Sequence, residues 1–219
     1  MSDELVNLEV KLELMLEQIK GLFFEFGIKN LNMDEISHKL GISKKTLYRY
    51  VKSKEDLIGR LFEFEQKKWT DSMQVIGSQE LNAIDKLFEV SLMVHEEMKR
   101  FNPMILFELR KYYETLFNEY QANRLVAIAV SKRSNLENGM NEGLYRPDLN
   151  KEAVIAIYMN YLVEIHNSEL CKAAVLTFDE LFSVMFENHI RAISTTEGVA
   201  YFENRKREIG ASLNKNTNL

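Results

Sequence analysis

The sequence predicts an all-α protein with a small N-terminal helix-turn-helix domain and a larger helical C-terminal domain. Glycine and proline are scarce, with nine and two among 219 residues, too few for the many tight turns of an all-β protein. Apolar residues recur at helical spacing along most of the chain. Capping residues and glycines separate these stretches, as they do at helix ends. With 46% hydrophobic residues, such a chain can bury a substantial core.

The first helix is predicted from an apolar stripe that ends at Gly27. Its polar residues fall between the members of the stripe, as in a helix with one buried face. Glycine adopts the left-handed conformation without a Cβ penalty, so Gly27 is well suited to end the helix. The stripe consists of Leu5, Leu8, Leu12, Met15, Ile19, Leu22 and Phe26.

Two short helices joined by a tight turn are predicted next. Asn32 followed three residues later by Glu35 has the spacing of a capping box. Gly41 then interrupts the helix, and Ser43 can cap a second one whose buried side includes Leu47. This order of signals is typical of a helix-turn-helix unit.

The remaining helices are predicted from similar signals. Ser53 with Asp56 opens a fourth helix, and Asn102 with Pro103 marks a break followed by a new start. The segment NEGLYRPDLN, with Gly143, is predicted to be a loop. Further helices are predicted over residues 78–98, over 104–138 in one or two pieces, and over 151–170 and 178–193. Residues 211–219 are predicted to be a polar tail.

The charge of the chain is unevenly distributed. The formal net charge is −5, yet residues 36–54 contain six cations and no carboxylate. Removing these six from the 28 basic residues leaves 22 against 33 acids, or −11 for the rest of the chain. The cations are Lys39, Lys44, Lys45, Arg49, Lys52 and Lys54.

This basic segment coincides with the predicted helix-turn-helix unit, which favours DNA binding. A recognition helix lies in the major groove, where cations neutralise phosphates and release counterions. Hydroxyl groups can bond to base edges, and arginine can pair with guanine or a phosphate. The alternative is an ordinary solvated surface, but charge at that position together with the turn and the caps favours a DNA-reading helix. The outward-facing candidates are Lys44, Lys45, Thr46, Tyr48 and Arg49.

From Leu16 to about Ile58 the sequence resembles the DNA-binding domain of the tetracycline-repressor (TetR) family of bacterial transcription regulators. The specific part is GISKKTLYRY followed by SKEDL, and NEGLYRPDLN is similar to a loop common before the penultimate core helix of that family. Lys45 replaces a frequent small residue, and Val51 replaces a frequent phenylalanine. The resemblance implies operator contacts by Asn32, Lys44, Lys45, Thr46, Tyr48, Arg49, Tyr50 and Lys54, with Tyr50 and Lys54 on phosphates.

The resemblance also implies a homodimer that binds a palindromic operator on double-stranded DNA and is released by a small-molecule effector. On this view residues 1–54 are the DNA-binding domain and residues 55–210 the effector-binding and dimerisation domain. The apolar segments at 151–170 and 178–193 suit burial against a second subunit. A mixture of aromatic and soft side chains with polar tips is typical of pockets for hydrophobic or amphipathic ligands. The candidate ligand-binding residues are Met93, Phe107, Tyr112, Tyr113, Phe117, Tyr158 and Tyr161.

Two other functions remain open at this point. One is a DNA-binding dimer without an effector, whose large domain serves only for assembly or for binding a protein partner. The other is an all-α di-iron enzyme, which needs two Glu-x-x-His pairs. Glu35 and His38 form the one such spacing, and the capping box explains Glu35 better. We therefore expect no enzymatic activity, no cofactor and no metal site.

The compartment is predicted from cysteine content and hydropathy. Cys171 is the one cysteine, so no internal disulfide can form, as is usual in a reducing cytoplasm. The acidic start of the chain is unlike a secretory signal, and charges interrupt every apolar stretch before the roughly 20 residues that a membrane helix needs. We expect a cytoplasmic protein with no membrane partner.

Overall fold

The computed structural model describes residues 3–99, 102–165 and 177–216. Within these ranges the chain is helical, with one isolated β-bridge between Tyr145 and Ser194, which confirms the all-α prediction. The described helices are α1 (Asp3–Phe26), α2 (Met33–Lys39), α3 (Lys44–Leu47), α4 (Lys54–Ser78), α5 (Ala83–Lys99), α6 (Pro103–Tyr112), α7 (Glu114–Asn141), α8 (Lys151–Ile165), α9 (Phe178–Ile193) and α10 (Thr196–Asn216). None of these helices is long and apolar enough to cross a membrane.

The described helices form two compact units, each of which is discontinuous in sequence. The first unit comprises residues 1–72 and 100–124, and the second comprises 73–99 and 125–219. The first unit is larger than the DNA-binding domain predicted for residues 1–54, since it also takes in α6 and the start of α7.

The core of the first unit is formed by the inner faces of α1 to α4 together with α6 and the start of α7. Ile19, Ile36 and Leu47 are completely buried in one cluster, so the stripe on α1 from Leu12 onward packs with the two short helices as its spacing predicts. Leu109 on α6 and Phe117 on α7 belong to the same cluster. The side chain of Asn102, just before α6, donates a hydrogen bond to the Phe24 carbonyl of α1 at 3.1 Å.

The core of the second unit surrounds the predicted loop between α7 and α8. Tyr145 in this loop is fully buried, and its hydroxyl donates to the Asn135 side chain at 3.1 Å. The Arg146 amide donates to the Ile193 carbonyl at 2.9 Å, which attaches the loop to the end of α9. Gly143 has a φ of 75°, a conformation that favours glycine and confirms the predicted turn. Ile84, Leu136, Ile190 and Phe202 are among the other buried members of this core.

The predicted helix boundaries agree with the structure for α9 and differ from it for α5. Helix α9 has the bounds predicted for it, with a capping box at Thr177. Helix α5 begins at Ala83 and not at residue 78, because Asn82 accepts hydrogen bonds from the Ile84 and Asp85 amides and therefore caps it. The helix predicted over 151–170 is seen to Ile165, and the remainder lies outside the described residues. Helix α10 continues to Asn216, past the predicted start of the polar tail.

Candidate nucleic-acid interface and effector region

Local hydrogen bonds build the helix-turn-helix unit as the sequence predicts. The Asn32 side chain accepts from the Asp34 and Glu35 amides, both at 2.9 Å, and the Glu35 carboxylate accepts from the Asn32 amide at 2.7 Å. Gly41 has a φ of 67°, which turns the chain toward α3. The Ser43 hydroxyl then accepts from the Thr46 amide at 3.0 Å and caps α3.

Helix α3 is anchored by its apolar side and exposes its polar side. Leu47 is completely buried in the first core, so the opposite face of this short helix is directed to solvent. Lys45, Tyr48 and Arg49 are exposed. Thr46 is half-buried, and its hydroxyl lies 2.8 Å from that of Ser43. The exposed face therefore combines two cations with a phenol, which suits a polyanion with readable base edges.

Among the predicted DNA contacts on α3, Lys44 alone forms an ion pair within the described part of the chain. Its ammonium lies 2.7 Å from the Asp34 carboxylate of α2, and both side chains are exposed. The hydrogen bond to Asp34, followed by its charge, raises the pKa of Lys44. A phosphate at this position would compete with a solvent-screened ion pair, which is weak.

The predicted phosphate contacts at the end of the unit differ in exposure. Tyr50 is half-buried against the first core. The Lys54 ammonium donates a hydrogen bond to the Ile28 carbonyl in the turn after α1. Burial lowers the pKa of Lys54, while the charges of Glu108 and then Glu35 oppose that shift. Lys54 is thus held by the protein itself, and a phosphate would have to share its ammonium with Ile28.

The same turn receives a buried carboxylate from α6. Glu108 is 7% exposed and accepts hydrogen bonds from the Ile28 amide at 2.6 Å and the Lys29 amide at 3.1 Å. Gly27 has a φ of 83°, and a Cβ there would lie 3.4 Å from the Glu108 carboxylate. The amides of Ile28 and Lys29, in the turn after α1, are therefore satisfied by a carboxylate that is 80 and 79 residues away in the sequence.

The seven predicted ligand-binding residues divide between the two units. Within the first unit, Phe107 and Tyr112 are exposed, Tyr113 is half-buried and Phe117 is a core residue. In the second unit, Met93 is half-buried, Tyr158 is buried and Tyr161 is exposed. Their role as a shared ligand pocket stays a prediction.

Sequence reasoning missed two polar residues of the second unit that lie beside Tyr158. Lys132 on α7 is 7% exposed, and its ammonium lies 3.7 Å from the centre of the Tyr158 ring. The His189 ring on α9 is 4.7 Å from the Tyr158 ring, centre to centre. Nothing in the local sequence SKRSNL marks Lys132 as buried, since its burial depends on α8 and α9. Among the described residues, no group of acidic, histidine or cysteine side chains could hold a metal ion.

Comparison with known proteins assigns the helix-turn-helix unit to a family. The family model for bacterial regulatory proteins of the tetR family matches residues 16–61. A Bacillus subtilis (strain 168) protein, YhgD, described as an uncharacterized HTH-type transcriptional regulator, is 26% identical over 149 residues. That alignment covers 62% of this chain and 72% of YhgD.

Solved structures share the fold beyond the helix-turn-helix unit. A transcriptional regulator from Cytophaga hutchinsonii superposes with a TM-score of 0.64 at 18% identity, covering 84% of this chain and 99% of that one. The reduced form of NemR from E. coli gives a TM-score of 0.62 at 14% identity, with coverage of 83% and 95%. At such identities the likeness shows a common fold.

Proposed function

Since the chain is a DNA-binding transcriptional regulator of the tetR family of bacterial regulatory proteins, we propose that it is a dimeric repressor released from a palindromic operator by a small apolar or amphipathic ligand. The observation that carries this proposal is the exposed surface formed by α3 and the residues just after it, where Lys45, Tyr48 and Arg49 are exposed while Leu47 is buried. A bacterial transcription regulator acts where the chromosome is, so we propose that this protein is cytoplasmic.

Exposed apolar side chains on α8 and α9 support the homodimer. Ile157 and Tyr161 are each 59% exposed, and Val184 is 60% exposed. Apolar surface of this kind on helices that also contribute to a core is typical of surfaces that a second subunit covers. A symmetric dimer would present two α3 helices to half-sites about one helical turn, roughly 34 Å, apart.

The experiment that tests the proposed function is selection of bound duplexes from a random library. We expect a two-fold symmetric consensus, because a dimer with two identical reading helices imposes its symmetry on the site. A consensus without symmetry would contradict the dimeric arrangement, and recovery of no sequence at low salt would contradict DNA reading altogether.

Salt dependence on the selected duplex tests the reading face itself. We expect Lys45→Ala to weaken DNA binding. If Lys45 contacts a phosphate, the slope of log association constant against log salt concentration should also become less negative by about 1 per subunit. Lys11→Ala is the matched control, because Lys11 is an exposed lysine on α1 of the same unit. Equal slopes for the two variants would exclude Lys45 from the interface.

A ligand screen distinguishes the ligand-controlled repressor from a DNA-binding dimer without an effector. Apolar compounds that raise the melting temperature and also release the selected duplex support the ligand-controlled repressor. If no stabilising compound releases the operator, the result would instead favour a dimer whose second unit serves for assembly or for a protein partner.

A further inference from the structure

The second unit contains a buried polar cluster formed by three helices. Lys132 from α7, Tyr158 from α8 and His189 from α9 meet there, with Tyr158 in contact with both of the others. Lys132 is 7% exposed and Tyr158 is 6% exposed. The side chains around Tyr158 are apolar or aromatic, namely Val94, Ile128, Met159, Leu162, Phe182 and Met185.

The charge of Lys132 is not compensated within the described part of the chain. Its recorded contact is with the face of the Tyr158 ring, and no described carboxylate pairs with it. Burial lowers the pKa of Lys132 to about 7. Burial, followed by the charge of Lys132, lowers the pKa of His189 to about 2. An isolated ammonium in an apolar setting is costly, and proteins normally pair such a group or bind something to it.

His189 adds an unpaired polar atom at the same place. Its Nε2 atom is removed from solvent and has no hydrogen-bond partner among the described residues. The neighbouring residue on α7 shows the contrast, because Arg133 is exposed and paired with Glu152 on α8. Arg133, the outward cation of this helix turn, is therefore paired, whereas Lys132, the inward one, has no counter-ion among the residues that the structure describes.

We propose that Lys132, with Tyr158 and His189 beside it, is the head-group site for a small carboxylate whose apolar body lies against the surrounding side chains. A carboxylate supplies the single negative charge that Lys132 lacks and accepts the hydrogen bonds of its ammonium. A cationic ligand would be repelled, and a neutral one would leave the ammonium uncompensated. The inference deepens the proposed function, since it assigns a chemical class to the effector of that proposal.

Calorimetric titration of the full chain with matched acids and alcohols tests the site. The probes are decanoate and 4-phenylbutyrate, their alcohols decan-1-ol and 4-phenylbutan-1-ol, and acetate as an anion without an apolar body. We expect at least one acid to bind tenfold or more tightly than its alcohol, and acetate to bind far more weakly than that acid. Equal affinity for each acid and its alcohol would overturn the proposal, as would acetate binding as tightly as the longer acids.

Two variants test the assignment to Lys132. In Lys132→Met the preference for acid over alcohol should disappear, with the alcohol affinity within twofold of the unchanged protein. In Arg133→Met, which removes the adjacent outward cation, the preference should persist. Retention of the preference in Lys132→Met overturns the assignment. If Lys132→Met does not fold, Lys132→Gln replaces it. Its ratio of acid affinity to alcohol affinity is then compared with that of the unchanged protein, and an unchanged ratio overturns the assignment.

The binding test is independent of DNA, so failure of this inference is distinguishable from failure of the proposed function. Loss of the acid preference with intact operator binding overturns the head-group site alone. Acid binding through Lys132 in a protein that selects no duplex supports the head-group site and counts against the proposed function.

Discussion

The pH dependence of stability is a residue-scale consequence of Lys132. Burial lowers its pKa from 10.5 to about 7, so between these values the unfolded chain binds more protons than the native one. Stability therefore rises with pH across that window, while below about pH 7 both states are protonated and the full cost of burying the charge is present.

We expect Lys132→Met to raise the free energy of unfolding near pH 7 by a few kcal/mol, on the order of what a pKa shift of this size implies. The gain should shrink as the pH approaches 10. Urea unfolding of both proteins at several pH values measures the difference. Arg133→Met should follow the unchanged protein across the series, and a gain for Lys132→Met that is equal at pH 7 and pH 10 would contradict a buried ammonium.

Two helical glycines differ in what a side chain would meet. A Cβ on Gly139 would lie 2.1 Å from the Tyr145 ring, whereas a Cβ on Gly21 would meet nothing within 4 Å. We expect Gly139→Ala to lower stability by about 1–3 kcal/mol through overpacking. Gly21→Ala should raise it by up to about 1 kcal/mol through helix propensity. Thermal unfolding compares the two, and similar shifts of the same sign would contradict the close packing of Tyr145 on α7.

At the scale of the element, the buried Glu108 carboxylate links α6 to the turn between α1 and α2. We expect Glu108→Ala to destabilise the protein by about 1–3 kcal/mol, since it leaves the buried Ile28 amide without an acceptor. Glu108→Gln retains one acceptor oxygen and should lose less. Chemical unfolding measures both variants, and hydrogen exchange at Ile28 and Lys29 should become faster in Glu108→Ala.

Glu119→Gln supplies the control for that series, because Glu119 is an exposed carboxylate on α7 of the same unit. It should change stability by less than about 0.5 kcal/mol, as is usual for surface substitutions. A comparable loss in Glu119→Gln would attribute the effect to net charge and not to the contact with the turn.

The elements that could be predicted from sequence are those with local causes. The caps formed by Asn32 with Glu35, Ser43 with Thr46 and Thr177 with Glu180 each act within one helical turn, because their two residues are three positions apart in the sequence. The exposed face of α3 follows from the same local geometry. Its contact with DNA stays a prediction.

What could not be predicted depends on residues distant in the sequence. Glu108 reads as an ordinary surface glutamate on an amphipathic helix, and its carboxylate becomes structural only because the chain brings Ile28 to it. Lys132 and its outward neighbour Arg133 are indistinguishable by type, and only the packing of α8 and α9 separates them. Burial that arises from tertiary packing leaves no local signal at either residue.

At the scale of the whole molecule, the proposed homodimer makes stability depend on concentration. We expect Val184→Glu on α9 to weaken self-association, because it introduces a carboxylate into an apolar surface that a second subunit would cover. Sedimentation velocity over a range of protein concentrations measures the change. Weaker association should also reduce the affinity for a palindromic duplex more than for a half-site.

Val75→Glu is the control, because Val75 is 59% exposed on α4 and lies outside the two helices proposed for the interface. It should sediment like the unchanged protein. Dimerisation that is unaffected by Val184→Glu, or disturbed equally by both substitutions, would exclude α9 as the interface.

The hydrogen bonds from Ile28 and Lys29 to Glu108 limit how the protein can be recombined with its relatives. A chimera that joins residues 1–54 to the remainder of a relative would lose Glu108, the acceptor for the amides in the turn after α1. The part that can be exchanged is therefore the first unit as a whole, α6 included. Chimeras joined at residue 54 should bind DNA poorly even when every predicted DNA-contacting residue is retained.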